Sequence, residues 1–298
     1  MVQYFIDGTE SQQPFPRQRT LNIKGKIFDL STPQVMGIIN VTPDSFYTGS
    51  RKTGEKEIRE RIDEILYEGG TIVDVGGCST RPGNSIPDKK EEMQRLIPVL
   101  KILRDEYPSV VVSVDTFHAD IAKAACLEYG AHIINDISGG NADPEMFDTV
   151  ARLDVPYILM HMRGEIATMH KATPYTPNVE TAVLDFFIDK VAHLRQIGIK
   201  DIIIDPGYGF SKLPEDNYRL LAHSNRALRA LALPILTGVS RKRMIWQTLE
   251  STPEEALNGT TVLNTFALLS DTADILRVHD VKAAVEAVKI VAEIKKQL

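Results

Sequence analysis

Eight short apolar, β-branched runs punctuate the chain, at 35–40 (VMGIIN), 71–76 (TIVDVG), 110–115 (VVVSVD), 132–137 (HIINDI), 155–160 (VPYILM), 201–207 (DIIIDPG), 233–238 (LPILTG) and 273–278 (ADILRV). They are continuous rather than alternating, the pattern of parallel strands covered on both faces. Helix-like stretches separate them at 54–70, 88–107, 120–130, 143–154, 180–198 and 280–297. The first of these shows the form: Ile58, Ile62, Ile65 and Leu66 share one face, and glycine ends it. Between the seventh and eighth runs the chain is longer than one helix requires, and 240–250 and 252–270 read as two consecutive helices.

This is the cadence of βα units, and eight of them in about 260 residues match the count and size of a (β/α)8 TIM barrel. The fold class is therefore α/β. With 298 residues, 43% of them hydrophobic, the chain is long enough for one large barrel or two small domains. No linker, repeat or low-complexity segment marks a second domain, so 1–298 reads as a single one, with the barrel over 34–298 and an extension over 1–33. Within that extension LNIKGKIFDL is expected to pair as a hairpin about Lys24 and Gly25, closing the bottom of the barrel.

In such a barrel the active site lies where the strands run out into the helices. Every strand here ends in polar residues: Asn40 with VTPDSF, then GGCSTRPG (76–83), Asp115 with TFH, Asn135 with Asp136, MHMRG (160–164), DPGYGFSK (205–212), TGVSRK (237–242) and RVHD (277–280). Their convergence gathers Asp115, Asn135 and Asp205 beside Arg81, Lys242, Arg277 and His279. Carboxylates and an amide with nearby cations suit a ligand with two chemically different ends, a hydrogen-bonding heterocycle and an anion such as phosphate.

A carboxylate such as Asp205 can accept two parallel hydrogen bonds from a ring that carries an amino group beside an N–H. Asn135 offers a donor and an acceptor together, and Lys242 can donate to a ring carbonyl. Arg81, Arg277 and His279 would meet phosphate oxygens, arginine by its fork geometry. Asn40 and a phosphate could share Mg2+, a hard, oxygen-seeking cation. The GYGF stretch combines backbone freedom with aromatic faces.

Each residue also has a plainer reading. Asp115 and Asp205 could cap backbone N–H groups, and Asn135 with Asp136 could form a turn. His161, between Met160 and Met162, reads as a packed core histidine, and Cys78 and Cys126 as small inert hydrophobes. Eight polar tips on one barrel end are what these readings explain poorly.

Other totals narrow the function. A net charge of −6, from 40 acidic and 34 basic residues, argues against a general nucleic-acid binder and makes any basic site local. Two cysteines make neither a disulfide framework nor a paired zinc site. The polar start lacks an apolar signal core, and no apolar run approaches membrane-spanning length; the expectation is a soluble cytoplasmic protein. The chain has no GxxxxGK[ST], no GxGxxG after the first run, no HExxH and no GxSxG, which disfavours an ATPase, a Rossmann dehydrogenase, a zincin and a serine hydrolase.

From about residue 34 onward the chain resembles the dihydropteroate synthases of folate biosynthesis. The resemblance is carried by MGIINVTPDSF, DVGGCSTRPG, VSVDTF, INDISGG, LMHMRG, IIDPGYGF, GVSRK and RVHDV in that order. It implies a transferase that joins 6-hydroxymethyl-7,8-dihydropterin pyrophosphate to p-aminobenzoate, releasing pyrophosphate, by an SN1-like route. It implies a pterin pocket of Asp115, Asn135, Asp205, Lys242 and Met160, and a pyrophosphate site of Asn40, Arg81, Arg277 and His279, with Asn40 near Mg2+. Asp115, Lys242 and Arg277 would carry catalysis. Thr80, Pro82, Phe210, Lys212 and Ser240 would border p-aminobenzoate, and the resemblance makes the protein a sulfonamide target. A homodimer through C-terminal helices is implied as well. Cys78, Tyr208 and Ser211 depart from the family's commoner Glu, Phe and Gly. A corrinoid-dependent methyltransferase sharing the pterin pocket would not need STRPG, SRK and RVH. A barrel that merely binds a pterin would fail to turn over both substrates.

Overall fold

The computed structural model describes residues 17–41, 51–78, 86–169, 171 and 174–297. A two-stranded antiparallel hairpin, β1 (Thr20–Ile23) and β2 (Lys26–Asp29), precedes eight barrel strands. These are β3 (Gln34–Asn40), β4 (Ile72–Gly76), β5 (Val111–Asp115), β6 (Ile133–Asp136), β7 (Tyr157–Met160), β8 (Ile202–Asp205), β9 (Leu236–Thr237) and β10 (Ile275–Val278). They pair in the order β8-β7-β6-β5-β4-β3-β10-β9, every barrel pairing being parallel. One further parallel bridge, Ile204 to Ile235, joins β8 to the start of β9 and closes the ring. The barrel expected from the eight runs is thus the fold observed.

Strand residues alternate between the inside of the ring and the helices outside. Inward residues at the strand starts, Met36, Ile72, Ile133, Ile158, Ile203, Leu236 and Ile275, form one buried cluster with Leu21, Ile23 and Leu30 of the hairpin region. The hairpin therefore seals the base, as its sequence suggested, and each such side chain contributes about 1.5–3 kcal/mol by leaving water. Outward residues such as Ile39, Val75, Val114, Leu159 and Ile204 join the helices in the main core. Further along the strands the inward positions turn polar: Asp74, Ser113, Asn135, Asp205 and Arg277, then Asn40 and Asp115. Register sets Asn40 beside Gly76, Gly76 beside Asp115, and Asp115 beside Asn135.

The helices are α1 (Arg51–Tyr67), α2 (Lys89–Glu106), α3 (Ala119–Tyr129), α4 (Met146–Leu153), α5 (Val179–Gln196), α6 (Pro214–Arg229), α7 (Arg243–Thr248), α8 (Leu257–Leu269) and α9 (Val281–Lys295). The sequence reading had no counterpart for α6. That helix opens on proline, which suits a first helical position, and has Glu215 and Asp216 in its first turn. Buried Leu220, Leu221 and Leu228 tie it to the main core.

Candidate active site

The polar residues meet at the strand ends around one arginine. Arg277, two residues above the sealed base on β10, donates from Nε to Asp74 on β4 at 2.7 Å and from Nη2 to Asp115 on β5 at 2.7 Å. Asp74 is fully buried, and its oxygens also accept from Asn135 Nδ2 on β6 at 3.3 and 3.4 Å. Four strands thus converge on one hydrogen-bonded cluster.

Asp205 and Lys242 form the other side. Asp205, on β8, accepts the Gly207 N–H at 2.8 Å. Lys242, the residue before α7, hydrogen-bonds the Tyr208 carbonyl and lies over the Phe210 ring, 4.5 Å from its centroid. Gly207 and Gly209 make this loop possible. Both have positive φ, and a Cβ at 207 would lie 2.0 Å from the His161 carbonyl oxygen, one at 209 3.0 Å from Lys242 Cδ. Arg241, with a positive φ of 54°, grips both oxygens of Asp280 at 2.8 Å and so ties the SRK turn to the end of β10.

Burial sets the charges. It pushes the Asp115 carboxyl up to about 7 against the pull of Arg277. It also raises Asp205, with Lys242 the main opposing influence. Lys242 is pushed down to about 8 by burial despite the carboxylate of Asp205. At Arg277 burial disfavours the charge, but Asp74 and Asp115 outweigh it and hold the guanidinium above its ordinary range.

Asn40 ends β3 half-buried, with its Oδ1 3.4 Å from where a Cβ at Gly76 would lie and Asp115 on that glycine's other side. Ser240 Oγ accepts the His279 backbone N–H and lies within hydrogen-bond distance of its Nδ1, both at 3.1 Å. Met160 is buried beside Asp205 in register and packs with Cys78, Phe117, Ile137 and Phe210. Thr80, Arg81 and Pro82 lie outside the described residues, as do residues 42–50, which follow Asn40 and Val41.

Lys212, expected to border p-aminobenzoate, has a buried side chain that is held by its own loop. Its Nζ is buried against the Gly207 and Phe210 carbonyls at 2.9 and 3.2 Å and His161 Nδ1 at 2.9 Å. The ammonium satisfies carbonyls that the tight loop turns inward. His161 is packed between Tyr175 and Phe186, and burial holds its ring well below the usual histidine range. The turn reading of Asn135 and Asp136 divides between them: Asp136 accepts the Ser138 and Gly140 N–H groups, whereas Asn135 faces Asp74. Burial pushes both the Cys78 and the Cys126 thiol up to about 12, the behaviour of small hydrophobes. Asp74 was missed by sequence reasoning; its signal was a lone acid inside an otherwise apolar strand.

The arrangement offers acids, an amide and a lysine to one flat polar ligand around a central arginine, with a half-buried histidine just beyond β10. A family model described as "Pterin binding enzyme" matches residues 36–279. The chain belongs to the pterin-binding enzymes. The dihydropteroate synthase of Escherichia coli (strain K12) is 40% identical over 270 residues, covering 90% of this chain and 94% of that one. The dihydropteroate synthase of Xanthomonas albilineans with 4-aminobenzoic acid superposes with a TM-score of 0.84 at 37% identity, covering 93% of this chain and 98% of the other. That of Yersinia pestis in a sulfonamide drug complex gives 0.84 at 36%, covering 94% and 100%. Within its family the chain therefore belongs to the dihydropteroate synthases, transferases of folate biosynthesis.

Proposed function

We propose that this barrel mouth joins 6-hydroxymethyl-7,8-dihydropterin pyrophosphate to p-aminobenzoate, giving 7,8-dihydropteroate and pyrophosphate. The observation that carries the reading is the single cup in which Asp74, Asp115, Asn135, Asp205, Lys242 and Arg277 converge. Asp205 accepts from the pterin's amino group and ring N–H, Lys242 donates to its carbonyl, and Asn135 meets the opposite edge. Met160 and Phe210 supply apolar contact to flat rings. Arg81, Arg277 and His279 hold the diphosphate, while Thr80, Pro82, Phe210 and Ser240 border p-aminobenzoate. Lys212 supports that border by fixing the loop that carries Phe210.

In the reaction the bond from the exocyclic methylene carbon to the ester oxygen breaks, and its electron pair leaves on pyrophosphate. The reduced pterin shares the positive charge left on carbon, and the Asp115 carboxylate stabilises it. The p-aminobenzoate nitrogen then forms the new bond and sheds a proton to solvent. Orientation matters more here than a strong base. Asn40 would hold Mg2+ through Oδ1, a hard oxygen donor, and the ion would supply positive charge to stabilise the departing pyrophosphate.

Three broader readings accompany this one. Exposed Leu249, Leu257, Val262, Ile290 and Ile294 on and beside α7, α8 and α9 favour a homodimer through that face. Free Cys78 and Cys126 suit a reducing cytoplasm, and no helix among the described residues is long and apolar enough to cross a membrane. A sulfonamide would occupy the p-aminobenzoate border as its mimic. The deciding experiment supplies both substrates and Mg2+ and follows inorganic pyrophosphate. Release that p-aminobenzoate accelerates, with one pyrophosphate per 7,8-dihydropteroate formed, is expected; release that p-aminobenzoate leaves unchanged, or none, would overturn the reading.

A further inference from the structure

Asp74 lies below the proposed reacting groups, fully buried, and hydrogen-bonds two of the proposed ligand-binding side chains, Arg277 and Asn135. A buried carboxylate is costly unless charge and hydrogen bonds compensate it. Here the compensation comes from Arg277 Nε at 2.7 Å and Asn135 Nδ2 at 3.3 Å. Register places Asp74 next to Ser113, two residues below Asp115 on the neighbouring strand. The two carboxylates therefore stand at successive depths and take adjacent nitrogens of one guanidinium, Nε and Nη2. Arginine's planar fork cannot rotate while both are engaged.

We propose that Asp74 is a positioning residue that sets the orientation of Arg277 and Asn135 together. At Arg277 it anchors the inner edge, so that the outer nitrogens stay directed at the anion of the ligand. At Asn135 its effect is one of hydrogen-bond polarity. An ionised carboxylate only accepts, so the amide must turn its NH2 toward Asp74 and offer its Oδ1 elsewhere. The ligand edge that meets Asn135 must then bring a donor, which selects among ring tautomers without any contact between Asp74 and the ring.

This inference rests on the proposed reaction, and the test separates the two. Asp74→Asn, Arg277→Ala and the double variant are compared with the wild type for kcat, both KM values, and calorimetric affinity for the bare pterin and its pyrophosphate ester. Asp74→Asn is expected to fold, to lose about 100-fold in kcat, the scale of a misplaced catalytic group, and to leave KM for p-aminobenzoate within about twofold. It should weaken the ester more than the bare pterin. In the Arg277→Ala background the same substitution should remove much less, because the group it positions is gone. Should Asp74→Asn fail to fold, Asp74→Glu, which keeps the charge one methylene further out, takes its place with the same expected non-additivity. Additive losses, or wild-type kinetics in the folded Asp74 variant, overturn the positioning role. A wild-type chain that binds neither pterin nor releases pyrophosphate overturns the reaction instead.

Discussion

Asp115 carries two demands that pull against each other. In the proposed reaction it must sit in the cup beside the reacting carbon, and there burial drives its carboxyl up to about 7. Only the ionised form can stabilise a cation, so lowering the pH through about 7 should remove activity, tenfold per unit on the acid limb. A pH profile of kcat/KM checks this, and Asp115→Asn should both lower the rate and abolish the limb. A wild-type acid limb centred near 4 would contradict the assignment. The convergence of Asp115, Asn135, Asp205, Lys242 and Arg277 at one barrel mouth was legible in the sequence because each stands near the end of a strand or, for Lys242, in the loop that follows one. Asp74 was not, because it sits mid-strand where only its pairing partners reveal why a charge is tolerated. The inward turn of Lys212 was equally hidden, since the carbonyls that hold it belong to loop conformation rather than residue type.

Elements show a similar division. The strands were readable because parallel strands buried on both faces spell continuous Val and Ile runs. The α6 helix was not, because buried Asn217 breaks its apolar stripe and polar residues outnumber apolar ones over PEDNYRLLAHSNRALR. One strand junction also carries a pH signature. The Val112 N–H of β5 donates to His132 Nδ1 just before β6, at 3.1 Å, which only an unprotonated nitrogen can accept. Burial pushes that ring down to about 4, with Lys24 adding to the effect. The unfolded chain takes up this proton near pH 6.5 and the folded chain only near 4, so stability is retained above that range and lost as pH falls across it. Thermal melts at pH 7 and 5 should show a larger drop for the wild type than for His132→Gln. Equal drops would remove His132 as the cause.

For the molecule as a whole, the apolar residues left on α8 and α9 bear on assembly. Val262 is 57% exposed and Ile290 63%, values that suit a covered face better than a solvated one. Sedimentation should give twice the chain mass for the wild type and the single mass for Val262→Glu, with each protomer's cup intact. A monomeric wild type would dismiss the homodimer.

The hairpin stopper has a further effect on traffic. With Leu21, Ile23 and Leu30 wedged beneath the strands, the described residues leave a file of water no route along the axis from pole to pole. Every proton that reaches Asp115 or Asp205 from bulk solvent must enter by the upper doorway. Once a bicyclic guest fills that doorway, the acids behind it keep whatever protonation they had when it arrived.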